Sequence, residues 1–287
     1  MNLFSRYRNL FMSILHEERK RLTISIFCKS LYVFLFLKIL FLWPVLHDVH
    51  QYSPYELRSS LHYFLYAPIK LAQFDLNIFL VSILILLLLA LIQRVNYFIS
   101  ALIFWFSFSL SRLAFPIANG SDYVLNLFLF LSIFLAVVPA GKSDSLRNVQ
   151  HVISNFAFLI SKIQLSLIYV LSGFDKITSH AWRSGDAVYS IINLEYFINP
   201  NLPIPDNQTL YRVLAWSIIL IELTFPLLIW FTRFRTYALV AGIFFHVGII
   251  FVLSLPDFGI VMILTYCLFI PFEKMRNQSK TIISGDN

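Results

Sequence analysis

Long apolar runs broken by short polar punctuation dominate the chain. A spanning helix needs roughly 20 mostly apolar residues. Eight segments meet or approach that: 22–46, 76–93, 97–115, 123–139, 151–174, 210–232, 236–256 and 258–272, the last being short. Short connectors separate them, except for two longer polar stretches at 47–75 and 175–209. After Gly185, the positions Ala187, Val188, Ile191 and Ile192, with Tyr189 and Phe197, predict an amphipathic interfacial helix over 186–197. The expected fold is all-α: a polytopic membrane helical bundle of about eight transmembrane helices plus that interfacial helix. No solenoid period or linker divides it. One transmembrane domain, 22–272, is expected between a cytoplasmic N-terminal segment, 1–21, and a cytoplasmic tail, 273–287.

Composition agrees with a lipid environment. The 287 residues are 59% hydrophobic and 13% charged, against roughly 25% charged in soluble domains. The net charge of +7 sits in short loops between apolar runs, so it reads as topology-determining charge and excludes a nucleic-acid partner. With the N-terminus inside, most of the 22 basic residues fall in cytoplasmic segments, among them Arg19, Lys20, Arg94, Lys142, Arg147, Arg233, Arg235 and Lys274. That bias predicts a multi-pass protein of the cell membrane with both termini cytoplasmic and both long polar stretches outside. The basic N-terminus leads into an apolar run of full spanning length with no A-x-A-like site, so a cleaved signal peptide is not expected. Cys28 and Cys267 are isolated within apolar runs, and no zinc-type spacing or other metal site is present.

Charges within spans cost about 2.5–3.5 kcal/mol each on insertion, so each needs a reason. Glu222 and His246 lie at equal sequence distances from the Arg233–Arg235 turn, which puts both about 16 Å deep at 1.5 Å per residue. Their helices must be antiparallel neighbours, so a Glu222–His246 pair is available, and Lys162 sits at similar depth. Two readings stand: a buried pair fixing helix register, or a proton relay at the floor of an outward-facing cavity. Pro226, one turn after Glu222, favours a bent helix. Asp122 follows "NGS" at a helix start, where capping accounts for a carboxylate. Arg112, at the end of the preceding span, is its candidate partner. Asp257 reads as a cap in the same way.

The densest polar cluster follows the fifth span, in "YVLSGFDKITSHAWRSGDAVY". Lys176 and Trp182 fit an interface by snorkelling and by the aromatic belt. Those habits leave unexplained why Asp175, Lys176, Arg183 and Asp186 gather there.

The stretch "IQLSLIYVLSGFDKITSHAWRSGDAVY" resembles the Q-x-x-x-x-Y-x-x-(S/A)-G-x-x-K-(hydrophobic)-x-x-x-W-x-x-G pattern of the HTTM (horizontally transferred transmembrane domain) family. The matching positions are Gln164, Tyr169, Gly173, Lys176, Trp182 and Gly185. "SRLAFPIANGSDYVLNLFLFLSIFL" looks like the family's N-x-x-D helix start, and "FFHVGIIFVLSLPDFGIVMILTYCLFIP" like its H-x-G helix and F-x-x-x-M hairpin. The likeness covers about 100–272. The family includes the membrane part of vitamin K-dependent gamma-carboxylase, where the lysine matched by Lys176 is the catalytic base on reduced vitamin K. That branch implies a reduced quinone as cofactor. Where it places a histidine at the fourth span, this chain reads Gly120-Ser121-Asp122. The length, the "NGSDY" turn and the Lys-Trp-Gly segment look more like the compact bacterial branch of sporulation-delaying protein B, needed to mature a secreted peptide toxin.

These features set out two expectations. One is an outward-facing, membrane-embedded site acting on a secreted peptide or lipid-like substrate, carboxylase-like or a maturation factor. Lys176 would be its base or charge-bearing group, Asp122, His246 and Glu222 the supporting catalytic groups, and Asp175, Trp182, Arg183, Asp186 and Arg112 would contact substrate. The other is a non-enzymatic membrane partner that binds a secreted peptide or a second maturation protein. No inverted repeat or matched pair of broken helices points to a transporter.

Overall fold

Asp and Asn residues start the helices. Asp75 accepts from the backbone N–H groups of Asn77 and Ile78 and opens the helix Leu76–Ile92. Asn96 caps the helix Tyr97–Leu113 through Phe98 N–H, and Asn207 caps the helix Gln208–Leu228 through Leu210 N–H. Asn119 and Asp122 form a reciprocal capping box at the start of the helix Gly120–Leu135. Each satisfies donors that a helix start leaves unpaired.

The computed structural model describes residues 21–52, 60–136, 144–194 and 204–278, apart from 274 and 277. The described elements run α1 (Arg21–Val49), α2 (Ser60–Leu65), α3 (Ile69–Phe74), α4 (Leu76–Ile92), α5 (Tyr97–Leu113) and α6 (Gly120–Leu135). They continue with α7 (Asp144–Thr178), α8 (His180–Ser184), α9 (Asp186–Ile192), α10 (Gln208–Leu228), α11 (Thr232–Val252) and α12 (Pro256–Thr265). A 3₁₀ turn, Tyr266–Phe269, extends α12. No strand occurs among the described residues. The terminal segments up to residue 20, Lys142, Lys274 and the 195–197 end of the expected interfacial helix lie outside the described residues.

Each of the eight apolar runs contains a helix among its described residues. Four helical stretches, Leu22–Tyr52, Val149–Thr178, Gln208–Leu228 and Thr232–Val252, are long and apolar enough to cross a bilayer. Leu76–Ile92, Tyr97–Leu113, Gly120–Leu135 and Pro256–Phe269 are shorter. A helix of 17 residues reaches only about 25 Å, less than a hydrocarbon core of about 30 Å.

The burial pattern is that of a protein in lipid. Helix α4 buries Leu76, Phe79, Leu80, Ile83 and Leu87, yet exposes Ile78, Val81, Ile85, Leu88 and Ile92. A helix apolar all round has no face meant for water. Small polar residues turn inward instead: Ser100, Ser107, Ser109, Ser132 and Asn126 are buried. Where lipid is as apolar as the interior, such side chains hold helices together by hydrogen bonds.

The chain divides into two compact units, Met1–Ile160 with Ile270–Asn287, and Ser161–Phe269; their boundary falls within α7. In the first, α1 packs on α4 and α6, and α5 on α4 and α6. Tyr32 Oη lies 2.8 Å from Ser100 Oγ, tying α1 to α5. Lys29 Nζ donates to the Leu91 carbonyl (2.7 Å) at the C-terminus of α4, where a cation meets the negative end of the helix dipole. Glu273 closes the unit by accepting from Thr23 N (2.9 Å) and Thr23 Oγ1 (2.6 Å). In the second unit, α11 packs on α10 and α12, and α8 and α9 pack on α10.

Candidate functional site

Tyr169, Ser172, Gly173 and Lys176 recur at helical spacing, so they share one face of α7. Glu222 and Phe225 face them from α10. Gly173 sets the approach: a Cβ there would lie 2.8 Å from Leu223 Cδ2 and 3.2 Å from Glu222 Cβ. With only hydrogen at that position, Lys176 Nζ reaches both Glu222 oxygens, Oε1 at 2.9 Å and Oε2 at 2.8 Å. It also donates to Ser172 Oγ at 2.5 Å, and it lies 5.0 Å from the centre of the Trp182 ring. The ammonium thus donates to Ser172 Oγ and Glu222 Oε1, with Oε2 at ion-pair distance, under an aromatic face that favours a cation. The side chains of Lys176 and Glu222 are 17% and 9% exposed, so the lysine remains reachable. Pro226, four residues after Glu222, cannot donate to the Glu222 carbonyl and leaves that oxygen free of its usual helical partner.

A second polar chain lies in the same unit. Tyr169 Oη bridges His246 Nε2 and Tyr266 Oη, at 2.5 Å to each. Phe225 covers the Tyr169 ring at 4.3 Å between centroids. His246 is buried, and its Nδ1 has no hydrogen-bond partner among the described residues. The expected Glu222–His246 pair therefore does not form: Glu222 turns to Lys176, and His246 to Tyr169. Equal depth predicted proximity but could not predict which way each side chain points. Lys162, the third candidate at that depth, lies over the Phe269 ring at 5.0 Å.

The rest of the 175–189 cluster is mainly architectural. Arg183 Nη1 donates to the carbonyls of Ile177 (3.0 Å) and Thr178 (3.4 Å), closing the C-terminus of α7. Gly185 adopts φ +92°, and a Cβ there would lie 2.6 Å from Arg212 N. It separates α8 from α9 and lets both lie on α10. Asp186 accepts from Ser184 Oγ (2.6 Å) and Gln208 Nε2 (3.0 Å). The Ser184 hydroxyl and the Gln208 amide, then the charges of His180 and Arg212, hold its carboxyl below the usual carboxylate range. Val188 and Ile192 bury against Tyr211 and Ala215, so the apolar face of this interfacial segment packs on α10. Asp175 is exposed and makes no ion pair among the described residues; the counter-charge of Lys176 is Glu222, not its sequence neighbour.

Asp122 belongs to the other unit. Its partner is Lys38, with Nζ 2.8 Å from Oδ1 and 3.1 Å from Ser121 Oγ. The expected Arg112–Asp122 pair does not form: the Arg112 guanidinium sits 5.9 Å from the Tyr66 and Phe115 ring centres. Lys38 was legible as a charge within the first span, which must find an opposite charge. Ser172 and Tyr266 carried no such signal, because a serine or a tyrosine in an apolar run is ordinary; Tyr169 was marked by the family pattern and not by charge.

Of the six positions that matched the family pattern, five now have a physical role: Tyr169 bridges, Gly173 admits α10, Lys176 pairs, Trp182 covers and Gly185 turns. The HTTM domain family model matches residues 24–273. This chain belongs to the HTTM family. It is also similar to "Sporulation-delaying protein SdpB" of Bacillus subtilis (strain 168), 24% identical over 171 residues. That match covers 53% of this chain and 51% of the relative, so about half of the relative's length is spanned. No solved structure matches the chain.

A reduced quinone, the cofactor implied by the carboxylase branch, does not fit this arrangement. Deprotonating a quinol needs a free amine lone pair, whereas the Lys176 nitrogen is already engaged by Glu222, Ser172 and Trp182. No step through that group follows from these residues.

Proposed function

We propose that this HTTM protein is a maturation factor for a secreted peptide or lipid-like substrate, with Lys176 as a charge-bearing group at an outward-facing, membrane-embedded site. The supporting observation is the Lys176–Glu222 ion pair, closed by Gly173 and roofed by Trp182, with the lysine still 17% exposed. Glu222 offsets much of this charge at a distance, so the group attracts an anion only where it reaches the ammonium itself within hydrogen-bond range. Its chemistry is to bind and orient a carboxylate or a developing negative charge, with the orientation set before substrate arrives. The sporulation-delaying protein B branch, to which the chain is similar, supplies the peptide as substrate class.

The chain would cross the cell membrane eight times with both termini cytoplasmic, as its loop charges favour. The test compares peptides in the medium of cells with and without the protein, by mass spectrometry. A mature peptide that depends on the protein and disappears with Lys176→Ala supports the reading; unchanged peptide in that variant overturns it.

A second reading, acid–base catalysis, is favoured by the buried Tyr266–Tyr169–His246 chain, which is continuous enough to move a proton. A non-enzymatic partner role predicts that the peptide binds the protein and leaves it chemically unaltered.

A further inference from the structure

A half-buried guanidinium is normally given a carboxylate. Arg112, in the last turn of α5, has none among the described residues, and its Nε is buried without an acceptor. It lines a half-open cavity of about 480 Å³ within the first unit, inside the size range of small-molecule sites.

The other polar groups around it are already engaged. Asp122 is neutralised by Lys38 and accepts from Asn119 N (3.0 Å). Asn126 accepts from Ser107 Oγ (2.8 Å) and donates to Ser111 Oγ (2.6 Å). Arg112 is therefore the charge in the cavity that lacks a counter-charge among the described residues.

The walls are aromatic and continuous. Tyr66 stacks on Phe108 at 5.3 Å, Phe108 adjoins Phe104 at 5.7 Å, and Phe104 adjoins Phe130 at 5.4 Å. Tyr66 and Phe115 lie near the guanidinium, whose planar N–H fork has the geometry that suits phosphate. Because α5 ends and α6 begins at the cavity, the charge sits where a lipid headgroup would lie.

We propose that the Arg112 cavity binds one anionic phospholipid, with its phosphate on the guanidinium edge and an acyl chain along the Tyr66–Phe130 wall. This site is independent of the Lys176 reading. The test is native mass spectrometry of the detergent-solubilised protein titrated with dilauroyl phosphatidylglycerol, dilauroylglycerol and laurate.

One phosphatidylglycerol should bind at least about tenfold more tightly than the uncharged diacylglycerol, the discrimination expected of one charge-assisted hydrogen bond. Arg112→Gln should remove that preference. Leu127→Trp, which fills the cavity but keeps the arginine, should remove binding altogether and serves if Arg112→Gln does not fold. Equal binding of charged and uncharged lipid, or a preference that survives both substitutions, overturns the proposal. Tighter binding of laurate than of phosphatidylglycerol also overturns it, in favour of a free carboxylate ligand.

Discussion

Glu222 is the residue whose loss the structure predicts most sharply. Its carboxylate neutralises Lys176 in a site where both side chains are largely buried, so Glu222→Gln leaves an ammonium with a neutral partner. Breaking one side of a buried pair costs about 3–5 kcal/mol, while replacing both sides with apolar groups is often nearly neutral. Glu222→Gln should therefore lower the melting temperature in detergent clearly. The double variant Lys176→Met/Glu222→Leu should recover most of that loss. A single variant as stable as the parent would show that the pair is not closed in the folded protein. The sequence marked Lys176 and Glu222 separately, because charges in apolar runs are conspicuous. It did not mark them as partners, since forty-odd residues lie between them and only the Gly173 contact decides the pairing.

At the scale of elements, the segment α8–α9 is held on α10 by Gly185, by the Val188–Ile192 apolar patch and by the Asp186 hydrogen bonds. Because the Asp186 carboxyl lies below its ordinary value, its contribution is present above the unfolded pKa near 4 and is lost as pH falls through the lower folded value. Carbon NMR of labelled aspartate should show this depressed titration. Gln208→Ala should move it back toward the ordinary value, and an unshifted titration in the parent would contradict the Ser184–Asp186–Gln208 contact. Amphipathic spacing made this helix legible. That its apolar face would meet α10 was not, because spacing identifies a face but not what covers it.

For the whole molecule, hydrophobic run length was enough to place the eight apolar helices, since lipid demands continuous helix and leaves little choice of secondary structure. The division into two units within α7 left no trace in composition, because both units are equally apolar. Orientation is a prediction: phosphatase fusions after residue 52 should be active, and fusions after residue 94 inactive. The reverse pattern would invert the site as well as the loops.

The central claim is that Lys176 acts by carrying charge, and one comparison tests it most directly. Lys176→Arg keeps the cation but gives it up far less readily as a base. Release of mature peptide by cells carrying Lys176→Arg should stay close to the parent while Lys176→Ala abolishes it. Equal loss in both variants would contradict the account and make the lysine's proton, not its charge, the functional feature.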